Sequence, residues 1–474
     1  MDIFGPPSPP PAPYSPEPHR PHPGHSPVAL WPPVDELPQL VDAAVNGVRL
    51  YKYPIPKHLE DALDLQLKHV DCRRIRAKHP WIDLEDHLWQ LMPDAVWVDE
   101  PSNATFFVVP HAFLGHQCAN SPSKTRNYIR NGLVPFFEYI YYAQPYFNRS
   151  NGRDHVTIWI YENGPLCDCV FRQVMKNETI AFKAIMNTVK VGYWAHRDTS
   201  MFGWRPGVDI AMPQFGAIAP NSVSPTSWEQ VVAAPKFSYG FSGTYWGTRV
   251  TCPATERNAS EDSLMSQHHC ECSPNTRTWL RTHMASQCNT TTNPNNRCSG
   301  LSSRMGSFWY ALCPAAWACW SSRLFHAIDQ LAVPAIMANG AIEPFEGILD
   351  WRSFAIRIDT LRLTAGNASQ LDWLHHDATV TARHCSGCAT CDKCIKQPLV
   401  RRVKQLQQVR QWFSYNASAV PYNAIGLFLL ELHCRQWYLQ RGGDGTCRRH
   451  HHTHEQRGSR RHPVHDEGYV ATTV

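Results

Sequence analysis

Two serines and an arginine form the group of residues whose order most suggests binding chemistry. Ser321 and Ser322 stand where a helix cap is expected, and Arg323 opens the apolar-periodic segment that follows. A helix N-terminus together with a guanidinium can hold an anion such as a phosphate. A buried unit with an ordinary surface arginine would show the same spacing, so these residues alone leave both interpretations open.

The elements around these residues are predicted to be a strand, a helix and a second strand. The apolar runs Phe308–Cys313 and Val333–Met337 are each long enough for one buried strand, with the helix between them. Such a unit implies a parallel sheet with helices on its faces. Because ligands bind beyond the carboxyl ends of parallel strands, the anion site is expected at that edge.

Four cysteines, Cys385, Cys388, Cys391 and Cys394, form the most metal-like pattern in the chain. Four thiolates could hold zinc, and the repeated two-residue gaps also resemble iron–sulfur loops. However, the chain has 17 cysteines and seven Asn-x-Ser/Thr triplets, which together favour an oxidising, secretory compartment. A loop closed by disulfides is therefore the favoured interpretation, and a cytosolic zinc protein is the weaker alternative.

Composition bounds the class of protein. The chain of 474 residues is 43% hydrophobic and 18% charged, which suits a globular protein of two or three domains. Its net charge of +5 is too mild and too dispersed for a nucleic-acid binder, so no nucleic-acid partner is expected. The sequence has no apolar run of 18 residues and no signal-peptide pattern, so we expect any membrane anchor to lie outside this chain.

On both sides of the strand–helix–strand unit, apolar runs of strand length alternate with segments whose apolar residues have helical spacing. This alternation predicts an α/β fold. Fourteen of the 38 prolines fall in the first 38 residues, a composition typical of disorder or polyproline II structure. Residues 442–474 are rich in Gly, Arg and His and are also predicted to be disordered. The Gly-rich segment 235–247 marks the expected boundary between two lobes.

Several motifs occur in one order along the chain. They are LYKYPIP at 50–56, ATFFVVPHAF at 104–113, PYFNRSNGRDHV at 145–156, WRPGVDIAMP at 204–213, and SSRLFHAI with VPAIMANGAIEPFEGILDW within 321–351. In this order the chain resembles the exostosin-type glycosyltransferases of glycosyltransferase family 47, in particular their plant and algal branch. The resemblance covers about residues 47–360 and implies the GT-B architecture, in which two Rossmann-like lobes face a cleft.

The resemblance implies an inverting glycosyltransferase that moves a sugar from a nucleoside-diphosphate sugar to a glycan acceptor. It implies no cofactor and no essential metal, and a location on the lumenal side of the Golgi membrane. The expected division is a disordered stem (1–46), an N-terminal acceptor-side lobe (47–235), a C-terminal nucleotide-sugar lobe (236–440) with Cys-rich insertions (251–300 and 385–394), and a basic, His-rich tail (441–474).

Transferred onto this chain, the family motifs suggest site residues. The expected nucleotide-sugar-binding residues are Ser321, Ser322, Arg323, His326, Glu343 and Glu346. Glu162, at the end of a predicted strand, is the expected catalytic base, and Asp209 is the second candidate. Arg153, Asp154 and His155 precede the same strand on the acceptor side, where an internal Asp–Arg pair that fixes the turn is at least as plausible as catalysis.

The chain also departs from the family pattern. Ala316 replaces a glycine whose backbone could approach a phosphate closely, and His326 replaces an acid expected to grip the ribose. The usual His-Asp pair is Tyr161-Glu162 here. These departures support an alternative function, in which a family member without turnover binds a glycan or a partner protein.

Overall fold

A computed structural model describes most of the central part of the chain. The described residues are 32–67, 84–110, 122–143, 145–159, 179–193, 195–197, 203–215, 218, 227–234, 236–241, 276, 280, 305–315 and 321–440. All of them belong to one compact unit, Trp31–Arg448.

Short strands build two parallel sheets in this unit. In chain order they are β1 (Leu50–Lys52), β2 (Phe106–Val109), β3 (His155–Ile158), β4 (Val189–Gly192), β5 (Ala195–His196), β6 (Ile210–Ala211), β7 (Phe237–Gly240), β8 (Phe308–Pro314), β9 (Val333–Met337), β10 (Ala341–Ile342) and β11 (Ile356–Arg357). The first sheet has the order β1-β2-β3-β4-β6, and the second has the order β11-β9-β8-β7.

All pairings in both large sheets are parallel, and most of the strands are buried on both faces. Continuous apolar runs such as FFVV in β2 produce this pattern, because a parallel sheet is covered by helices on both sides. These sheets confirm the predicted mixed α/β fold.

The helices that cover the sheets vary in length. They are α1 (Leu37–Gly47), α2 (Lys57–Leu67), α3 (Leu84–Gln90), α4 (Pro122–Tyr128), α5 (Val134–Ala143), α6 (Pro145–Ser150), α7 (Thr179–Asn187), α8 (Trp228–Ala233), α9 (Arg323–Asp329), α10 (Thr360–Thr364), α11 (Ser369–Cys385), α12 (Asp392–Ile395), α13 (Pro398–Val409) and α14 (Ala424–Gln440). A π-helical turn, Ile129–Leu133, joins α4 to α5. No helix in the described ranges has the length and apolar content needed to cross a bilayer.

A third, two-stranded sheet links the two large ones. β5, which follows the fourth strand of the first sheet, pairs antiparallel with β10, which follows β9 of the second. The registers place Ala341 opposite His196 and Ile342 opposite Ala195. This pairing fixes the chain after β9 against the first half of the molecule, and the candidate site lies beside it.

Folded structure begins earlier than the predicted boundary at residue 47. Helix α1 already starts at Leu37, and its residues Leu37, Val41 and Ala44 are completely buried. Proline in the first turn of a helix costs no backbone hydrogen bond, so Pro38 is compatible with this start. The Pro-rich composition therefore does not describe the whole of residues 1–46, and residues 1–31 lie outside the described part of the chain.

Helix α14 differs from the helix that the sequence predicts at its position. The sequence of residues 423–438 predicts an amphipathic helix, but every residue of α14 from Ala424 to Leu432 is buried. Helix α1 packs along it, which explains why the apolar residues have no preferred side. Helix α11, the other long helix here, has no counterpart among the elements predicted from the sequence.

Candidate functional site

A pocket lies at the carboxyl ends of β8 and β9. It contains about 410 Å³ of space, its open mouth included, and Cys313 and Ile336 from the two strands line its floor. Tyr193, directly after β4 of the first sheet, lines another side. The pocket therefore occupies the edge at which parallel sheets bind ligands, as predicted from the strand–helix–strand unit.

The pocket walls are mainly apolar, with polar groups at two points. The apolar residues include Leu324, Phe325, Ile336, Ala338, Ile342 and Pro344. Ser321 and Glu343 add polar groups from the motifs SSRLFHAI and VPAIMANGAIEPFEGILDW. Small-molecule sites commonly combine an apolar lining with a few polar groups that orient the ligand.

Arg323 is buried rather than a surface arginine. Only 7% of the residue is exposed, and its Nη1 donates a hydrogen bond to Ser321 Oγ over 3.1 Å. The guanidinium carbon lies 4.8 Å from the centre of the Phe241 ring, a cation–π contact. Burial lowers the pKa of Arg323, yet arginine stays charged in proteins. A buried cation is therefore hydrogen-bonded to the pocket-lining Ser321.

Ser322 and His326 differ in part from their expected roles. Ser322 precedes the first residue of α9 as predicted, but its side chain makes no capping hydrogen bond. His326 is half-buried on the same helix, and burial lowers its pKa, with Arg323 acting in the same direction and Asp329 opposing it. These surroundings therefore favour the neutral form of the imidazole.

Glu343 brings a buried carboxyl group to the pocket. Its side chain is 3% exposed, and Oε2 forms an ion pair with Arg357 of β11. Oε1 has no hydrogen-bond partner within the described part of the chain. Burial raises the pKa of Glu343 to about 8 despite the neighbouring arginine, and the nearby Glu346 adds to the rise. Glu343 thus places beside the pocket a buried polar atom that has no hydrogen-bond partner among the described residues.

Glu346 lies further from the pocket and holds two parts of the molecule together. Its two carboxylate oxygens accept hydrogen bonds from Arg197 Nη2 at 2.9 and 2.8 Å, and Arg197 directly follows β5. Arg357 lies 3.9 Å from the same carboxylate. Glu346 also accepts a hydrogen bond from the backbone N–H of Glu343 over 3.3 Å. Its contacts fix the turn that presents Glu343.

Asp209, the second candidate for the catalytic base, is enclosed. Its side chain has no exposed surface and pairs with Lys190 at 3.0 Å and Arg205 at 3.0 Å. Burial alone would raise the pKa of Asp209, but the two cations outweigh it and hold the pKa below the usual value. Burial lowers the pKa of Lys190 to about 8. In this geometry the Asp209 carboxylate fixes the start of β6. Its role as a catalytic base stays a prediction.

Asp154 forms an internal ion pair as one of the two interpretations expected, but its partner is Arg149 and not the neighbouring Arg153. Asp154 accepts a hydrogen bond from Arg149 over 2.7 Å and a very short one from Ser150, whereas Arg153 is exposed on the turn. Its other partner is Nδ1 of His155, also at 2.7 Å. Arg149 lies one helical turn earlier, on α6, so the spacing on the turn itself could not identify it.

His155 extends this network into the core of the first sheet. It is completely buried, and burial lowers its pKa, so the neutral ring donates from Nδ1 to Asp154. Its Nε2 then accepts from the Tyr53 hydroxyl at 2.7 Å. The imidazole also stacks on Phe107, with ring centres 4.9 Å apart. These contacts stabilise β1, β2 and β3 and make Asp154 and His155 structural residues.

Three residues discussed above lie outside the described part of the chain. They are Tyr161, the expected base Glu162, and Ala316, which replaces the family glycine. The site also contains residues that the motifs did not identify, namely Arg197, Arg357 and Tyr193. Arg357 lies in the alternating run 354–358, which predicts a strand, but no local signal marked Arg197 or Tyr193, because they reach the site from distant parts of the chain.

The cysteine loop has a different arrangement from a four-thiolate zinc site. Cys385 and Cys394 form a disulfide, while Cys388 and Cys391 are free thiols. Across the described ranges, no three His, Cys, Asp or Glu side chains lie close enough together to hold a metal ion. The zinc interpretation is therefore wrong for this loop as it stands, and the disulfide interpretation applies to its outer pair.

The fold and these motifs agree with the comparisons to known proteins. The Exostosin GT47 domain family model matches residues 44–371, more than half of the chain, so the protein belongs to that family. This match confirms the resemblance seen in the sequence.

One related protein is an Arabidopsis thaliana protein named as a probable glycosyltransferase. The chain is 20% identical to it over 260 residues, which cover 54% of this chain and 43% of the relative. The chain thus spans less than half the length of this curated relative.

Proposed function

We propose that the protein is a glycosyltransferase that binds a nucleoside-diphosphate sugar in the pocket beside β8 and β9. The observation that carries this proposal is the convergence of Ser321 and Glu343 on one pocket, with the buried Arg323 bonded to Ser321. Family membership supports the same class of reaction. The proposal includes the GT-B arrangement, with the two parallel sheets as the cores of its two lobes.

On the donor side, each polar group would have a distinct task. A cation near the diphosphate offsets the charge that develops as the nucleotide leaves, and Arg323 is the expected source. Glu343 Oε1 would bond a hydroxyl of the ribose or the sugar. Since a hydroxyl both donates and accepts, it can pair with either protonation state of this carboxyl group. The apolar walls would exclude water from the reacting bond.

On the acceptor side, an attacking hydroxyl must lose its proton to a base and approach the anomeric carbon in line. We propose Glu162 for this role, and direct displacement by the hydroxyl would invert the anomeric configuration. Exchange of Glu162 for glutamine should lower kcat strongly and leave donor binding intact. Equal turnover by Glu162→Gln and wild type would exclude this assignment.

The proposal also includes a reaction without a resident metal or other cofactor, because Arg323 can supply the positive charge at the leaving diphosphate. A chelator such as EDTA should therefore leave turnover unchanged. Loss of activity on chelation, restored by a divalent cation, would contradict this part of the proposal.

Binding of the donor is tested by calorimetric titration with a panel of nucleoside-diphosphate sugars. Wild type should bind at least one of them, and Arg323→Ala should weaken that binding at least about tenfold. Arg362→Ala is the matched control, because Arg362 lies on the neighbouring α10 with 75% of its side chain exposed. Equal binding by all three proteins would overturn the donor site.

We further propose a lumenal Golgi location with an anchor outside the described residues. Exposed Asn-x-Ser/Thr sites at Asn103, Asn148 and Asn367 support passage through the secretory pathway. Protein expressed in a eukaryotic cell should lose mass on treatment with an N-glycosidase. An unchanged mass, together with a cytosolic distribution of the tagged full chain, would contradict this location.

A further inference from the structure

The loop between α11 and α13 contains two cysteines that the proposed function does not use. The disulfide in this loop joins Cys385 and Cys394, which are buried at 4% and 0% exposure. Cys388 is exposed and Cys391 is half-buried, and both are free thiols. The outer pair, Cys385 and Cys394, is therefore shielded from solvent. The inner pair, Cys388 and Cys391, is accessible to it.

The backbone of the loop brings the two free thiols together. Ser386 has φ −59° and ψ 117°, and Gly387 has φ +77°, the dihedral angles of a type II turn that needs glycine at its third residue. This turn is closed by the N–H of Cys388, which donates to the carbonyl of Cys385 over 3.2 Å. The turn orients Cys388 towards Cys391, three residues further along the chain.

Cys391 contacts the turn from the other side. Its thiol lies 3.0 Å from the carbonyl oxygen of Cys388 and donates a hydrogen bond to it. The neighbouring side chain of Cys391 also lowers the pKa of Cys388. A thiol that gives up its proton readily is the nucleophile in disulfide exchange, and a neighbouring thiol can resolve the product.

We propose that Cys388 and Cys391 form a dithiol site that exchanges reversibly with disulfide compounds while the Cys385–Cys394 disulfide stays intact. The Cys388 thiolate attacks one sulfur of the incoming disulfide, forms a mixed disulfide and releases one thiolate. Cys391 then loses its proton and attacks Cys388 Sγ, which forms the Cys388–Cys391 bond and releases the second thiolate. Two electrons pass to the incoming disulfide, and the protons of the two cysteines end on the two released thiols.

Burial separates the behaviour of the two pairs. Exchange requires a thiolate to reach a sulfur atom along the line of the bond that breaks, so a buried disulfide is attacked slowly. Both outer cysteines lie in the hydrophobic core, and Cys394 is completely enclosed. The inner pair should therefore respond to redox conditions that leave the outer disulfide unchanged.

The experiment equilibrates the full-length protein in buffers of reduced and oxidised glutathione at stepped ratios. Free thiols of the native protein are labelled with a maleimide at neutral pH, the reaction is then stopped with acid, and the peptides are identified by mass spectrometry. Cys388 and Cys391 should change together in one transition and appear linked to each other, with Cys385–Cys394 intact throughout. Cys313, a buried free thiol, is the internal control and should stay unlabelled in the native protein.

Single variants keep the proposal falsifiable. In Cys388→Ser or Cys391→Ser, the remaining thiol should accumulate a glutathione adduct instead of an internal bond. The proposal is overturned if the inner thiols stay reduced at every ratio, if each carries glutathione independently in wild type, or if the two pairs become reduced at the same ratio.

Discussion

Two ionisable residues of the candidate site, Glu343 and Arg323, are more deeply buried than their positions in the sequence indicate. The family motif predicts that Glu343 binds the nucleotide sugar, and the structure places it in the wall of a pocket with one oxygen bound to Arg357. Arg323 was expected either at a ligand or on the surface, and burial excludes the second possibility. The motifs identified both residues, but only the structure shows how far water is excluded from them.

Glu343 should make stability depend on pH. Its pKa in the folded protein is about 8, above the ordinary carboxyl value of about 4.3, so between these values the folded chain keeps a proton that the unfolded chain loses. The free energy of unfolding should therefore fall as pH rises from about 4 to about 8, by at most about 1.4 kcal/mol per pH unit. Denaturant titrations at several pH values measure this slope.

Glu343→Gln should remove this slope, because glutamine does not titrate. Asp372→Asn is the control, since Asp372 is exposed on α11 and should leave the slope unchanged. A slope that is the same in wild type and Glu343→Gln would show that Glu343 ionises normally in the folded state.

The network around Asp154 allows a second test at the scale of residues. Asp154→Ala leaves Arg149 and the buried His155 without their shared acceptor, so it should lower the free energy of unfolding by about 3 kcal/mol. Arg153→Ala should change it by less than about 0.5 kcal/mol, because Arg153 is exposed. If denaturant titrations show a larger loss of stability in Arg153→Ala than in Asp154→Ala, the network described here is contradicted.

At the scale of elements, most strands were predictable because apolar runs bounded by proline or glycine have little alternative in an α/β chain. The runs at 103–110 and 189–194 contain β2 and β4, and the segment Phe308–Cys313 is all of β8 except its last residue. Helix α1 was missed because its neighbours are rich in proline, and α11 because its apolar spacing is weak. Both are held by contacts with other elements rather than by local propensity.

The packing of α1 against α14 gives a prediction at this scale. A Cβ atom added at Gly426 would lie 1.9 Å from the carbonyl oxygen of Pro421 and 2.7 Å from Val41 of α1. Gly426→Ala should therefore push these elements apart and destabilise the protein by about 1–3 kcal/mol. Thermal or denaturant unfolding measures the change.

Gln408→Ala serves as the control for this substitution. Gln408 is exposed on α13, so its loss should change stability by less than about 0.5 kcal/mol. If Gly426→Ala is as stable as Gln408→Ala, α1 and α14 are not packed as closely as described.

At the scale of the whole molecule, the candidate site depends on contacts that no local pattern could reveal. Arg197 and Glu346 are separated by 149 positions, and the β5–β10 pairing brings them together. Tyr193 reaches the pocket from the first sheet in the same way. The sequence could therefore predict the two sheets and the residues of the C-terminal motif, but not the residues that the N-terminal half adds to the pocket.

The central claim is that this pocket binds a sugar donor for transfer, and the most direct measurement is turnover. Wild type, Arg323→Ala and Arg362→Ala are each incubated with a panel of nucleoside-diphosphate sugars and glycan acceptors, and the released nucleoside diphosphate and the acceptor mass are followed. Wild type and Arg362→Ala should add one sugar to an acceptor, and Arg323→Ala should be slower by at least about tenfold. Donor binding without transfer in wild type, or equal rates in all three proteins, would contradict the account.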